Sequence, residues 1–478
     1  MLRSALACLR LGCLCLTAMF GTTASAADTL TIPAIAYTQR TLTNGLQVVA
    51  IEDHTSSTVA VQVWYHVGSK DDPAGRSGFA HLFEHLMFKS TKHLKAEQFD
   101  RLTEDVGGHN NASTNDDFTN YFEAVPSNHL QRLLWAEAER MANLTVDEGN
   151  FKSERAVVEE ELRQRVLASP YGRLFNAVPK DAYLVHPYKR PTIGSIEELE
   201  AASLTDVIAF YKTFYRPDGA TLIVAGDFDR AELQRWVDAY FGSLQKPATA
   251  IPQVTAVEPA WDKDRQYSEH GPNVPLPALV LAWLAPRAKS PDSAALEIAA
   301  ALLSNGDSSR LHQSLVYRQQ IAQNVRFSAQ GEADNGLITA YVVLASGHKP
   351  DEAQAAILTE IRALATTPIA AAELDKVKTK LLTQALTQRQ TAEGKAFAIG
   401  EAVLLKGDPA AANDDLVALQ KVSADDVQRV LKKYVLDAQR VTIDYSQQAE
   451  TPAAAKPDPG KSAPEKSVKE KTVKGAAQ

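Results

Sequence analysis

Apolar positions along the chain follow two spacings: short runs of β-branched and aromatic residues that mark strands, and a three-to-four-residue recurrence that marks helices. Residues 59–65 and 278–283 are strand-like, and each is followed by an apolar helical stretch, at 78–88 and 293–303. The same order occurring twice predicts an internal duplication. Residues 220–226 and 336–345 also read as strands, whereas 353–365 and 371–386 are helical by periodicity and composition. The expected fold is therefore α+β: two homologous α/β halves, each a mixed sheet covered by helices. A stretch with prolines at 247, 252 and 259 separates them, which sets the expected boundaries at 27–245, a linker at 246–260, and 261–449. From 450 to 478 the sequence is Ala, Pro, Lys and Glu with almost no large apolar residue, so it is expected to be a disordered tail.

Composition narrows the setting. Residues 1–26 read as a secretory signal, with Arg3 and Arg10, an apolar core from 11 to 20, and Ala24-Ser25-Ala26 as a small-residue cleavage site. Ten apolar residues are too few to span a bilayer, which takes roughly 20. All three cysteines, Cys8, Cys13 and Cys15, fall inside this segment. The mature chain then has no disulfide, thiolate metal site or cysteine nucleophile, which suits an exported protein, expected in a Gram-negative periplasm. Removing two arginines from 50 basic and 58 acidic residues leaves 48 against 58, a net charge of −10. No nucleic-acid partner is implied.

The chemistry concentrates in Gly78-Phe79-Ala80-His81-Leu82-Phe83-Glu84-His85-Leu86-Met87-Phe88. His81 and His85, four residues apart, share one helix face and can hold one ion. Glu84 sits beside them without needing to be a ligand, where a water-activating base belongs; His-x-x-Glu-His is the inverted zincin pattern. A buried helix whose polar groups merely satisfy one another is the plainer alternative. Two histidines and a glutamate among Phe79, Leu82, Phe83, Leu86 and Phe88 would be costly without a ligand.

A catalytic zinc takes three protein ligands and leaves a position open. In the stretch from Ser153 to Leu162, an apolar helix stripe is expected through Val157, Val158 and Leu162, with Glu161 in its middle. At 100° per residue, Glu159 and Glu160 are expected to face solvent, while Glu154 shares the inward face with Glu161. Glu161 is thus the expected third ligand, and Glu154 an outer partner able to orient a histidine or a catalytic group. One Zn²⁺ per chain is expected, although two histidines and a carboxylate also suit cobalt, manganese or nickel.

His81-x-x-Glu84-His85 followed 76 residues later by Glu161, in Glu-Arg-x-Val-Val-x-x-Glu, resembles the pitrilysin/insulinase family of zinc metallopeptidases. Further matches run through the chain: Asn111-Ala112-Ser113-Thr114, Thr119-x-Tyr121, His186-Pro187-Tyr188, Tyr215-Arg216-Pro217, Ala225-Gly226-Asp227 and Ser308-Ser309-Arg310-Leu311. The resemblance implies halves closing as a clamshell around a chamber, and a zinc endopeptidase acting on extended peptides or small unfolded polypeptides. It also implies Glu84 as general base, Glu154 in the catalytic set, and substrate added as a strand beside Asn111, Ala112, Ser113 and Thr114. Locally, Gly107 to Ala112 reads as a turn entering a strand, with a small residue that admits a substrate backbone.

One departure matters. Relatives usually follow Ser-Ser-Arg-Leu with an arginine and, seven residues on, a tyrosine that reach the substrate; those positions here are Val316 and Gln323. Neither side chain can stabilise a developing oxyanion. A heterodimer with a homologous subunit that lacks the metal motif is therefore expected, with a homodimer as the fallback. The alternative function is a non-catalytic peptide-binding or structural subunit of the same fold.

Overall fold

The computed structural model describes residues 31–449; the expected signal and tail lie outside the described residues. The compact unit that begins at Ile35 holds all the strands and helices described. Its first sheet comprises β1 (Thr38–Thr41), β2 (Gln47–Glu52), β3 (Thr58–Tyr65), β4 (His109–Thr114), β5 (Thr119–Pro126) and β6 (Ala220–Gly226). They lie in the order β1-β2-β6-β3-β5-β4, and only β2 and β6 run parallel.

The second sheet holds β7 (Arg265–Gly271), β8 (Ala278–Leu284), β9 (Ala322–Gln330), β10 (Leu337–Leu344) and β11 (Val441–Gln447), in the order β7-β11-β8-β10-β9. Again one pair, β7 and β11, is parallel. Apart from the extra edge strand β1, the second sheet repeats the first strand for strand. In both, a helix lies in the chain between the second and third of the matched strands: Phe79–Leu86 between β3 and β4, and Ser293–Ser304 between β8 and β9. The duplicated pattern of apolar runs is thus a duplicated topology. The fold is the expected one, two α/β halves of mixed sheet covered by helices, in a clamshell arrangement.

Alternation along β3 divides its side chains between two cores. Val59, Val61, Val63 and Tyr65 pack with Phe79 and Phe83 of the Phe79–Leu86 helix. On the other face, Trp64 meets Ala396 and Ile399 of a helix from the second half of the sequence, Ala392–Glu401. Gly400 permits that contact, because a Cβ there would lie 2.2 Å from the Trp64 ring. The reverse also holds: the Gly172–Ala182 helix of the first half places Leu174, Val178 and Ala182 against Val280, Ala282 and Ile443 of the second sheet. Each sheet is covered on one face by a helix from the other half, and each large apolar side chain so buried contributes about 1.5–3 kcal/mol.

The proline-rich stretch holds no helix or strand between Phe241 and Arg265, but it is strapped down. Arg216 donates to the carbonyls of Pro247 and Thr249, each at 2.8 Å. Glu258 accepts from the amides of Leu184, Val185 and His186 at 2.7–3.0 Å.

Two sequence expectations fail in the Glu148–Glu161 helix. Val157 is 47% exposed and does not belong to the apolar stripe, which runs through Phe151, Glu154, Val158 and Leu162 at three- and four-residue spacing. Val157 lies about 100° from Val158 and so falls off the inward face. Glu159 does not face solvent: its side chain is 12% exposed and lies between Arg155 at 3.8 Å and Arg163 at 3.3 Å. The arginines one turn before and after it hold it against the helix. Glu160 is exposed, as expected.

Candidate metal centre

The His81 helix is fixed at its start by a residue from the preceding loop. Gly78 precedes the helix with φ +89° and has no side chain to cap it. Asp72 supplies the cap instead, its two carboxylate oxygens accepting from the amides of Gly78 (2.7 Å) and Ala80 (2.8 Å). Gly78 is also needed for space, since a Cβ there would lie 2.7 Å from the Ile193 carbonyl oxygen.

Four residues apart on this helix, the rings of His81 and His85 lie 4.9 Å apart and nearly perpendicular. Glu161, at the end of the Glu148–Glu161 helix, faces both: its Oε2 is 3.6 Å from His81 Nε2 and 3.4 Å from His85 Nε2. One donor atom from each of the three residues lies within 4.8 Å of the others. Two donors bound at about 2.1 Å to a tetrahedral ion stand roughly 3.4 Å apart, so the nitrogen–oxygen separations match a shared zinc. Burial pushes the His81 imidazolium down to about 3, leaving a neutral ring with a lone pair to give. Burial also lowers His85, against the pull of Glu161 and Glu154.

Around this trio sit the remaining groups. Glu84 accepts a 2.6 Å hydrogen bond from the Thr114 hydroxyl on β4; burial raises its carboxyl to about 7 despite that bond. Glu154 is buried, 3.9 Å from His85 Nδ1 and 2.9 Å from Lys89 Nζ. A cavity of about 470 Å³ is lined by His81, Glu84, Glu161, Ala112, Ser113 and Thr114 among others. Asn111 directs its side-chain oxygen to the Ala112 amide at 2.8 Å. The structure therefore brings His81, Glu84, His85, Glu154 and Glu161 together and lays β4 alongside.

A protein from Helicobacter pylori named zinc protease PqqE is 32% identical over 408 residues, covering 84% of this chain and 91% of that protein. The chain belongs to the M16 peptidase family. Residues 47–195 match the family described as insulinase (peptidase family M16), and residues 201–381 match the M16 inactive domain. A probable mitochondrial-processing peptidase subunit beta from Arabidopsis thaliana is 26% identical over 405 residues, covering 83% of this chain and 76% of that one. Among solved structures, a protease from Helicobacter pylori superposes with a TM-score of 0.83 at 31% identity, covering 86% of this chain and all of that one.

Within this M16 chain, sequence reasoning missed the cations around the centre. Lys89 follows His85 by four residues, and Arg165 follows Glu161 by four, its Nη1 2.5 Å from Glu161 Oε1. The spacing was readable, but the Glu161 helix continues as a π-helical segment, Leu162–Leu167, beyond the stretch that periodicity picks out. Arg190 and Tyr188 also line the cavity, and both are held by partners that sequence does not reveal. Arg190 donates to the carbonyls of Asp72 and Lys70 at 2.7 Å, and the Tyr188 hydroxyl donates to Asp117 at 2.6 Å.

Proposed function

We propose that this M16 chain is a zinc endopeptidase that hydrolyses extended peptides, with His81, His85 and Glu161 as metal ligands and Glu84 as general base. The observation that carries the reading is the convergence of three donor atoms at zinc-like separations with the half-buried Glu84 carboxylate and the outer strand of a sheet. Zinc bound there would polarise a carbonyl and acidify water. Thr114 holds one oxygen of Glu84 and leaves the other to take a proton from the attacking water. The same carboxyl then returns the proton to the leaving amine. Glu154, pinned by Lys89, faces the far nitrogen of His85 and would orient that ring.

Strand β4 ends the sheet order and pairs with β5 alone. An extended peptide would add along its open edge, with Asn111 yielding the Ala112 amide to the peptide backbone and small Ala112 admitting close approach. A secretory leader, as the composition of residues 1–26 suggests, would place this activity outside the cytoplasm, in the periplasm.

The experiment is metal analysis and cleavage of a quenched, unstructured peptide by wild-type chain and Glu84→Gln. Wild type is expected to hold about one zinc and cleave. The variant should keep zinc and peptide binding and lose about 10²–10⁴-fold in kcat. A variant as active as wild type would sink the assignment of Glu84.

A further inference from the structure

Resting on the hydrolytic reading above, we propose that Arg165 is the catalytic cation of this chain, donating to the scissile carbonyl oxygen as it gains negative charge. The positions from which an arginine and tyrosine of the second half would serve are Val316 and Gln323. Val316 is half-buried in the His312–Arg318 segment, and Gln323 is an exposed side chain on β9. Neither lines the cavity at His81, whose described lining ends at Ile193. The electrostatic group must therefore come from the first half or from another chain.

Two arginines and a tyrosine line that cavity beside neutral donors such as Asn176, and Arg190 and Tyr188 are bonded elsewhere. Arg190 uses both terminal nitrogens on the Lys70 and Asp72 carbonyls, bracing the loop that caps the His81 helix, and its unpartnered Nε is buried. The Tyr188 hydroxyl gives its proton to buried Asp117 and accepts from the Asp334 amide. Arg165 remains. Its side chain is 77% exposed, and its contact among the described residues is the single 2.5 Å bond from Nη1 to Glu161 Oε1. A guanidinium carries five N–H donors in a fixed fork, so one arm can stay on Glu161 while another meets the substrate. The π-helical segment that carries it, Leu162–Leu167, departs from the regular helix just after Glu161; such bulges recur at functional sites.

In the step itself, the water oxygen bonds to the carbonyl carbon, its proton passes to Glu84, and the π pair of the C=O bond moves onto oxygen. Arg165 donates a hydrogen bond to that oxygen and transfers no proton. The C–N bond then breaks, the carbonyl re-forms, and Glu84 gives its proton to the nitrogen. With Arg165 in this role, the electrostatics lost at 316 and 323 are restored within one chain, and no second subunit is needed for the chemistry.

The test compares Arg165→Met and Arg165→Lys with wild type, as purified full-length single chains. The readouts are kcat and KM for a quenched peptide, zinc affinity by chelator competition, and inhibition by a phosphinic peptide whose tetrahedral anion mimics the charged oxygen. Arg165→Met is expected to lower kcat and weaken the phosphinic peptide by about 10²–10³-fold, with zinc affinity and KM within about threefold of wild type and partial recovery in Arg165→Lys. Unchanged kcat overturns the proposal. So does a fall in zinc affinity that matches the fall in activity, because Arg165 would then only position Glu161. Activity that appears only when a homologous subunit is added also overturns it. A zinc-loaded wild type that cleaves no peptide under either condition instead removes the hydrolytic reading on which the proposal rests.

Discussion

Asp72 holds the Phe79–Leu86 helix from seven residues before its first residue, and Asp72→Asn probes that bond with almost no change of shape. Each carboxylate oxygen of Asp72 accepts one buried amide, from Gly78 and Ala80. Asparagine can satisfy one of them; at the other it presents an NH₂ group to an N–H, so two donors face each other. A hydrogen bond to a charged group is worth about 1.5–3 kcal/mol, and a buried donor left unsatisfied costs about 1–3 kcal/mol; because burial pushes the Asp72 carboxyl up to about 8, against the pull of the two amides, the comparison is made above that pH, where the group is ionised. Asp72 is only 4% exposed, so water cannot fill the gap. The helix start should therefore open more easily by about 2–4 kcal/mol, which corresponds to roughly 30- to 1000-fold faster amide exchange there. Hydrogen–deuterium exchange on a peptide covering residues 78–88 reads this directly, with peptides from β8 and β10 as internal controls. Unchanged exchange at the helix start would refute the capping argument, and equal acceleration in the control strands would show a global loss of stability instead.

Glu154→Gln should weaken zinc binding about 10- to 100-fold, measured by chelator competition; an affinity within a factor of two of wild type would deny Glu154 its role behind His85. Asp117→Ala should destabilise the chain by about 2–4 kcal/mol, because Tyr188 and the Ala333 amide both lose their acceptor; an unmoved urea midpoint would count against this tie between the halves. Hydrogen bonding from Lys395 holds the Asp53 carboxyl down to about 2 from its ordinary 3.8. A depressed folded pKa stabilises above the unfolded value and fades as pH falls through the folded one. The gap in urea midpoint between wild type and Asp53→Asn should therefore be full at pH 6 and narrowed at pH 3; a gap that widens on acidification would reverse the sign and reject the assignment.

Much of this architecture was legible because its signals are local. The runs at 59–65 and 278–283 declare strands by composition, and their repetition exposed the duplication that the two matching strand orders display. His81, Glu84 and His85 declared themselves by spacing on one helix, and Glu161 by its resemblance-bearing motif and inward position. What stayed hidden depends on contacts that the helical and strand spacings do not encode. Nothing near Phe79 reveals that Asp72 caps it, and nothing near Tyr188 reveals Asp117. Val157 and Glu159 were misplaced because five adjacent valine and glutamate positions, 157–161, leave the phase of a helical stripe ambiguous by a residue. The tertiary partners of Phe151 and Val158 settle it.

The exchange of covering helices has a consequence for how the chain is made. During synthesis the first sheet is complete once β6 emerges, yet its Trp64 face stays bare until the Ala392–Glu401 helix arrives, some 170 residues later. A chain whose halves were self-contained could fold the first before the second was translated. Here the N-terminal half cannot finish early, so the nascent protein remains in a partly open state through most of its own translation.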